Sequence, residues 1–216
     1  MPNSRRNLWE NSPQGNPTFC LAMLQNPDIQ RKAQKVIDET MNLSEGLPDF
    51  THYGKMPYIE ALVQEVFRWR PVAPIAVPHR VIQDDVYEGY HIPAGATVIP
   101  NSWALAHDPA HYGWNPSKFD PTRFLNESQT AINPSMPMGY EAFGYGRRIC
   151  PGLHIAVETV WLAIVSILAV FNIEPVEGTD VSELDRYTSG LILHPLPFKC
   201  KFVPRSEVAV QAVREG

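Results

Sequence analysis

Phe143-Gly144-Tyr145-Gly146-Arg147-Arg148-Ile149-Cys150-Pro151-Gly152 is the stretch on which the reading of this chain turns. It stands where a long coil rich in Pro, Gly and Asn gives way to an apolar helix. A cysteine at that junction sits beside unpaired backbone amides and the positive end of a helix dipole, a setting that favours thiolate over thiol. Such a sulfur is a ligand or a nucleophile. Gly144, Gly146 and Gly152 permit left-handed turns and a close approach of the backbone to a flat ligand. Arg147 and Arg148 carry guanidinium forks suited to carboxylates.

Working outward, the 216 residues are 44% hydrophobic and 10% aromatic, enough to build a core. The net charge of -5 offers no basic surface for phosphates, which leaves nucleic-acid binding without support. The chain holds 21 prolines, many of them within residues 71–151 and 195–204, so those stretches read as turns, short strands and coil. Cys20, Cys150 and Cys200 are odd in number and far apart, against a disulfide framework or a cysteine-rich zinc site. The first ten residues are polar and lack the apolar core of a signal peptide. The longest apolar stretch, residues 160–171, is interrupted by Ser166 and falls short of the roughly 20 residues of a membrane span.

Periodicity gives the elements. Residues 1–18 read as an irregular lead-in. Residues 19–41 form helices broken at Asn26-Pro27, where Asn26 caps and Pro27 occupies the first turn; Ile29, Ala33, Val36 and Ile37 mark the apolar stripe. Ile59, Leu62, Val63, Val66 and Phe67 repeat at helical spacing until Pro71. Short β-branched pieces over residues 73–100, separated by Glu88-Gly89 and Pro93-Ala94-Gly95, predict a small antiparallel sheet. Residues 101–107 read as helical, and 108–145 as a long coil, whose length marks it as functional. Residues 152–171 predict a helix apolar nearly all round and therefore buried. Residues 191–203, with Pro195 and Pro197 in the turn, read as a terminal hairpin, and 206–216 as a tail. The class is mainly α with small antiparallel β-sheets.

Glycines, a thiolate and a carboxylate binder together point to haem. The spacing Phe-x-x-Gly-x-Arg-x-Cys-x-Gly resembles the cytochrome P450 family of haem-thiolate monooxygenases, whose cysteine thiolate ligation is a known property of that family. Two further runs carry the same resemblance. Glu65 and Arg68 match the family's Glu-x-x-Arg and lie on one helix face, and Pro121-Thr122-Arg123-Phe124 matches its Pro-x-Arg-Phe. The resemblance implies a buried salt-bridge triad of Glu65, Arg68 and Arg123.

It further implies that Cys150 is the catalytic ligand of haem b iron. Phe143, Gly144, Gly146, Arg148 and Gly152 surround the group, and Arg80 reaches a propionate from the small sheet. His79 is either a haem contact or a turn histidine. Val72, Ala73, Ile75, Ala76, Leu191 and Ile192 match segments lining a hydrophobic substrate cavity, although alone they read equally as core strands. Arg70-Pro71-Val72-Ala73-Pro74, Pro78-His79-Arg80 and Asp85-Val86-Tyr87-Glu88-Gly89-Tyr90 look most like fungal microsomal members akin to O-methylsterigmatocystin oxidoreductase.

The implied reaction inserts one oxygen atom of O2 into a hydrophobic small molecule. Electrons come from NADPH through NADPH-cytochrome P450 reductase, on the cytosolic face of the endoplasmic reticulum membrane. The likeness covers residues 19–205, which correspond to the C-terminal part of a family member and imply a partial cytochrome P450 fold. The membrane anchor and the long central helix with its acid-alcohol pair are not among these residues, and Leu153 stands where many members carry Arg. The expectation is therefore a truncated chain, with a non-catalytic haem-binding remnant as the alternative. A zinc hydrolase is the rival enzyme class, from His107-Asp108-Pro109-Ala110-His111; its Asp in place of Glu, and Pro109 inside the required helix, count against it.

Overall fold

A computed structural model describes residues 15–215, and the first fourteen residues of the expected lead-in lie outside it. The first helix, α1 (Gly15–Gln25), begins four residues ahead of the expected start at Phe19. After Asn26 comes α2 (Pro27–Thr40), with Pro27 in its first turn as expected. Asn26 does not cap α2 through its side chain. It turns back instead, Nδ2 donating at 2.9 Å to the Ala22 carbonyl that also accepts the Asn26 amide at 2.9 Å, so both bonds close the end of α1. Of the expected stripe, Ala33 and Ile37 are buried, and Ile29 and Val36 are half-buried.

Gln30 and Gln34 are buried on the same face. Gln30 accepts from the Ile173 amide at 2.7 Å and donates to the Ile173 carbonyl at 3.1 Å; Gln34 donates to the Phe171 carbonyl at 3.1 Å. They pin α2 to β5 (Phe171–Pro175).

The central element is α3 (Pro57–Trp69), buried on nearly every face, its polar Gln64, Glu65 and Arg68 included. Against α1, α2 and α3 packs α6 (Leu153–Val170). By length and by its mean hydropathy of 2.1, α6 could cross a membrane; only half of it is buried. The expectation of burial all round is thus corrected. Trp161, Ile164 and Leu168 face the core while Ile155 stands 71% exposed at the end nearest Cys150.

The single small sheet expected within residues 73–100 is two separate antiparallel pairs. One joins β1 (His79–Arg80) to β4 (Thr97–Val98); the other is a hairpin of β2 (Asp85–Tyr87) and β3 (Tyr90–Ile92). Two short helices follow, α4 (Ser102–Ala106) and α5 (Pro109–Tyr112).

The terminal hairpin is also corrected. β6 (Cys200–Pro204) pairs antiparallel with β5, Phe171 opposite Pro204 and Pro175 opposite Cys200. Residues 193–196 instead meet 186–188, with Thr188 N–H donating to His194 O at 2.8 Å and Leu196 N–H to Arg186 O at 2.7 Å. The expected tail is largely a helix, α7 (Glu207–Glu215), whose Ala209 and Ala212 are buried. Arg205 anchors it, donating to Asp38 at 3.0 and 2.5 Å and to the Leu168 and Ala169 carbonyls at the end of α6.

Glu60, half-buried on α3, accepts from the Gly54 amide at 3.1 Å. Burial pushes its carboxyl up to about 7, the Gly54 hydrogen bond acting against it. With the folded value above the unfolded one, the unfolded chain releases its proton first. Stability therefore falls as pH rises from the ordinary carboxylate range to about 7, by up to about 3 kcal/mol. Glu60→Gln should raise the urea midpoint at pH 8 and leave it nearly unchanged at pH 4. Equal shifts at both pH values would contradict this.

Candidate active site

The cysteine loop is built from two 3-10 turns, Glu141–Phe143 and Gly146–Arg148. Gly144 (φ +83°) and Gly146 (φ +60°) occupy the left-handed region between and at the start of these turns, where a Cβ is costly. The Cys150 amide donates to the Phe143 carbonyl at 2.8 Å, which closes the loop. The Cys150 carbonyl then accepts from Leu153 N–H at 3.2 Å, so the cysteine sits immediately ahead of α6. Its thiol is free and exposed, whereas Cys20 is buried. Burial pushes the Cys20 thiol up, leaving it unreactive.

Phe143 fastens the loop to α3. Its ring lies edge-on to Phe67 at 5.2 Å and to Tyr140 at 6.0 Å, and Phe67 meets Tyr140 at 5.7 Å. On the outer side Arg147 and Arg148 are exposed, and neither makes an ion pair among the described residues.

Glu65 and Arg68 are completely buried and three residues apart on α3. Arg68 holds the carboxylate with both arms of its fork, Nε to Oε2 at 2.6 Å and Nη2 to Oε1 at 2.8 Å. Arg123, in the 3-10 turn Pro121–Phe124, donates Nε to Oε1 at 3.2 Å. The Asp120 amide adds a bond to Oε1 at 2.7 Å. Burial pushes the Glu65 carboxyl above its ordinary value; the two guanidiniums and the amide oppose this and match the ionised form.

The remaining guanidinium donors reach backbone. Arg68 Nη1 donates to Ala106 O at 2.6 Å, and Arg123 donates to Tyr112 O at 2.6 Å and Lys118 O at 2.9 Å. Sequence reasoning missed these carbonyls and the Asp120 amide because backbone partners leave no side-chain signal. The coil also crowds α3 at Gly139, where an added Cβ would come within 2.8 Å of the Gln64 carbonyl.

Arg80 and His79 lie in β1, paired with β4. Among the described residues no hydrogen bond or ion pair joins Arg80 to the cysteine loop; its Nη2 lies 3.7 Å from where a Cβ on Gly95 would sit. Of the two segments matched to a substrate cavity, the first is bonded just beyond the end of the second, Leu193 N–H donating to Val72 O at 2.8 Å. Within them Ile75, Leu191 and Ile192 are exposed, Val72 and Ala73 half-buried. Ala76 is 3% exposed and in the left-handed region at φ +46°, so it packs into the protein and lines no open surface. Of the rival zinc pair, His107 ends α4 and stacks on Trp103 at 4.0 Å, while His111 lies on α5 with Nδ1 3.1 Å from Asp108. The two imidazoles do not share a helix.

The cytochrome P450 family model matches residues 18–202 of the chain. Cytochrome P450 monooxygenase claR of Ampulloclitocybe clavipes is 43% identical over 91% of the chain, and the tryptamine 4-monooxygenase of Psilocybe cyanescens 44% identical over 90%. The alignments span only 36% and 39% of those relatives' own lengths. The chain belongs to the cytochrome P450 family. That family implies haem held by a cysteine thiolate.

The residues present fit such a group. The one exposed cysteine has a glycine two residues on, where an added Cβ would stand 3.7 Å from the sulfur, and exposed guanidiniums beside it suit propionates.

Removing Arg68 strips Glu65 of its bidentate partner, whereas removing Arg123 leaves that pair in place. Arg68→Leu should cost about 3–5 kcal/mol and Arg123→Leu clearly less, read from urea unfolding followed by circular dichroism. Equal losses would show that the two guanidiniums are interchangeable.

Proposed function

We propose that this chain carries the thiolate side of a haem monooxygenase acting on a hydrophobic small molecule, with Cys150 as the iron ligand. The observation that carries the reading is the exposed Cys150 thiol, fixed by the Cys150 N–H to Phe143 carbonyl bond at the head of α6. When bound, haem supplies activation of dioxygen, one atom entering a substrate C–H bond and the other leaving as water, with electrons drawn from NADPH through a flavoprotein reductase.

The chain's own residues bind and orient. Cys150 would hold the iron through its sulfur. Gly144, Gly146 and Gly152 would leave room for a flat group beside the sulfur. Arg148 binds carboxylate at the loop, and Arg80 does so from β1, with His79 beside it on the same strand. Val72, Ala73, Ile75, Leu191 and Ile192 offer an apolar lining for a substrate. Glu65, Arg68 and Arg123 act at a distance by fixing the coil that precedes the loop. The fungal relatives support a place at the endoplasmic reticulum membrane facing the cytosol, and a microsomal type of electron supply.

The test is spectral. Haem-loaded chain, reduced and exposed to carbon monoxide, should give the red-shifted Soret band of a thiolate ligand, and Cys150→Ser should abolish it while keeping the fold. A parent without the band, or a Cys150→Ser variant that retains it, overturns the ligand assignment. Product formed with NADPH and reductase separates a monooxygenase from a chain that only binds haem.

A further inference from the structure

Tyr112, the last residue of α5, is 1% exposed and has two ties. Its carbonyl accepts from Arg123 Nη1 at 2.6 Å, which connects it to the Glu65 ion network. Its hydroxyl donates to the Glu141 carboxylate. Burial pushes the Tyr112 hydroxyl above its ordinary value, with the hydrogen bond to Glu141 adding to the effect, so it remains a donor. Its ring packs edge-on against Phe124 at 6.0 Å, independent of the hydroxyl.

Glu141 opens the 3-10 turn that ends at Phe143. Its own carbonyl accepts from Ser102 Oγ at 3.0 Å and from the Gly144 amide at 3.2 Å, and Ser102 Oγ also lies 3.0 Å from the Tyr145 hydroxyl. Two residues on, the Phe143 carbonyl receives the Cys150 amide. The second carboxylate oxygen of Glu141 is buried and has no hydrogen-bond partner among the described residues. A half-satisfied buried carboxylate is costly, and packing alone would be better served by an apolar side chain.

We propose that Glu141 is a positioning residue, latched by Tyr112, that ties the Glu65–Arg123 network to the loop presenting Cys150. The inference rests on the reading of Cys150 as an iron ligand for its functional meaning, but the latch itself is a property of the haem-free chain. Glu141 acts through the loop backbone, not on the sulfur. It sets where the Phe143 carbonyl stands, and so fixes the Cys150 backbone.

Hydrogen exchange on the full chain tests the latch directly. The Cys150 amide should exchange about tenfold faster in Glu141→Leu and in Tyr112→Phe, consistent with loss of a hydrogen bond to a charged group. It should stay at the parent rate in Glu141→Gln, which keeps an acceptor for Tyr112, and amides around Trp161 in α6 should be unaffected throughout. In the haem-loaded, reduced, carbon monoxide form, Glu141→Leu should lose at least half of the red-shifted thiolate band and Glu141→Gln should retain it. An unchanged Cys150 amide in Glu141→Leu, or a Glu141→Gln variant as fast as Glu141→Leu, overturns the proposal. Where Glu141→Leu exposes the whole chain to exchange, Tyr112→Phe decides, since it preserves the ring contact. A parent lacking the red-shifted band sinks the ligand reading and leaves the exchange comparison to judge the latch.

Discussion

A carboxylate sealed from water has to be met by donors from every side, and in this chain that demand falls on Glu65. Four hydrogen bonds converge on its two oxygens, from both arms of Arg68, from Arg123 and from the Asp120 amide. The guanidiniums are in turn completed by the carbonyls of Ala106, Tyr112 and Lys118. A proline-rich coil has few amides with which to build a ladder of its own, so its route must be fixed by partners elsewhere. Glu65 provides them. Buried ion clusters contribute little net stability against an apolar replacement, but losing one member leaves an uncompensated charge. The cluster therefore specifies a path more than it deepens the well.

The loop around Cys150 depends on the same path. Glycines at 144 and 146 cost backbone entropy to order, and the exposed outer side of the loop buries little that would offset it. The compensation comes from behind, through the Phe143 ring against Phe67 and Tyr140 and through the hydrogen bonds gathered on Glu141. One side of the cysteine segment is thus held by the core while the sulfur is left open. This division of labour suits a ligand: the backbone is hydrogen-bonded from behind and the reactive atom is uncovered.

Much of this was legible in the sequence where the signal is local. The helical period placed α3 and α6, Asn26-Pro27 divided α1 from α2, and the glycine-arginine-cysteine spacing marked the loop. What escaped was long-range. Strand β5 finds β6 across a 24-residue gap, and no local pattern encodes such pairing, whereas Pro195 and Pro197 suggested a nearer hairpin. Gln30 and Gln34 find their partners on β5, more than 130 residues away, where no local pattern points. α7 escapes a local reading because a nine-residue helix holds only against tertiary partners, here α6 and the turn Leu43–Glu45. Tyr112 and Glu141 carried no signal because 28 residues of coil separate them.

The common factor is a little over one turn of α3. Glu65 and Arg68 take the Arg123 segment on one side of the helix. Gln64 and Arg68 receive Gly139 so closely that a Cβ there would stand 2.8 Å from the Gln64 carbonyl and 3.1 Å from the Arg68 Cβ. Phe67 takes the Phe143 ring. Side chains three and four apart are neighbours on a helix, so these contacts form one continuous surface wrapping the turn, and three parts of the following coil are registered against it in order. A rotation of α3 by one residue, about 100°, would withdraw the ion partner, the glycine contact and the aromatic anchor together. The position of Cys150, more than eighty residues downstream, is in that sense set by the phase of α3.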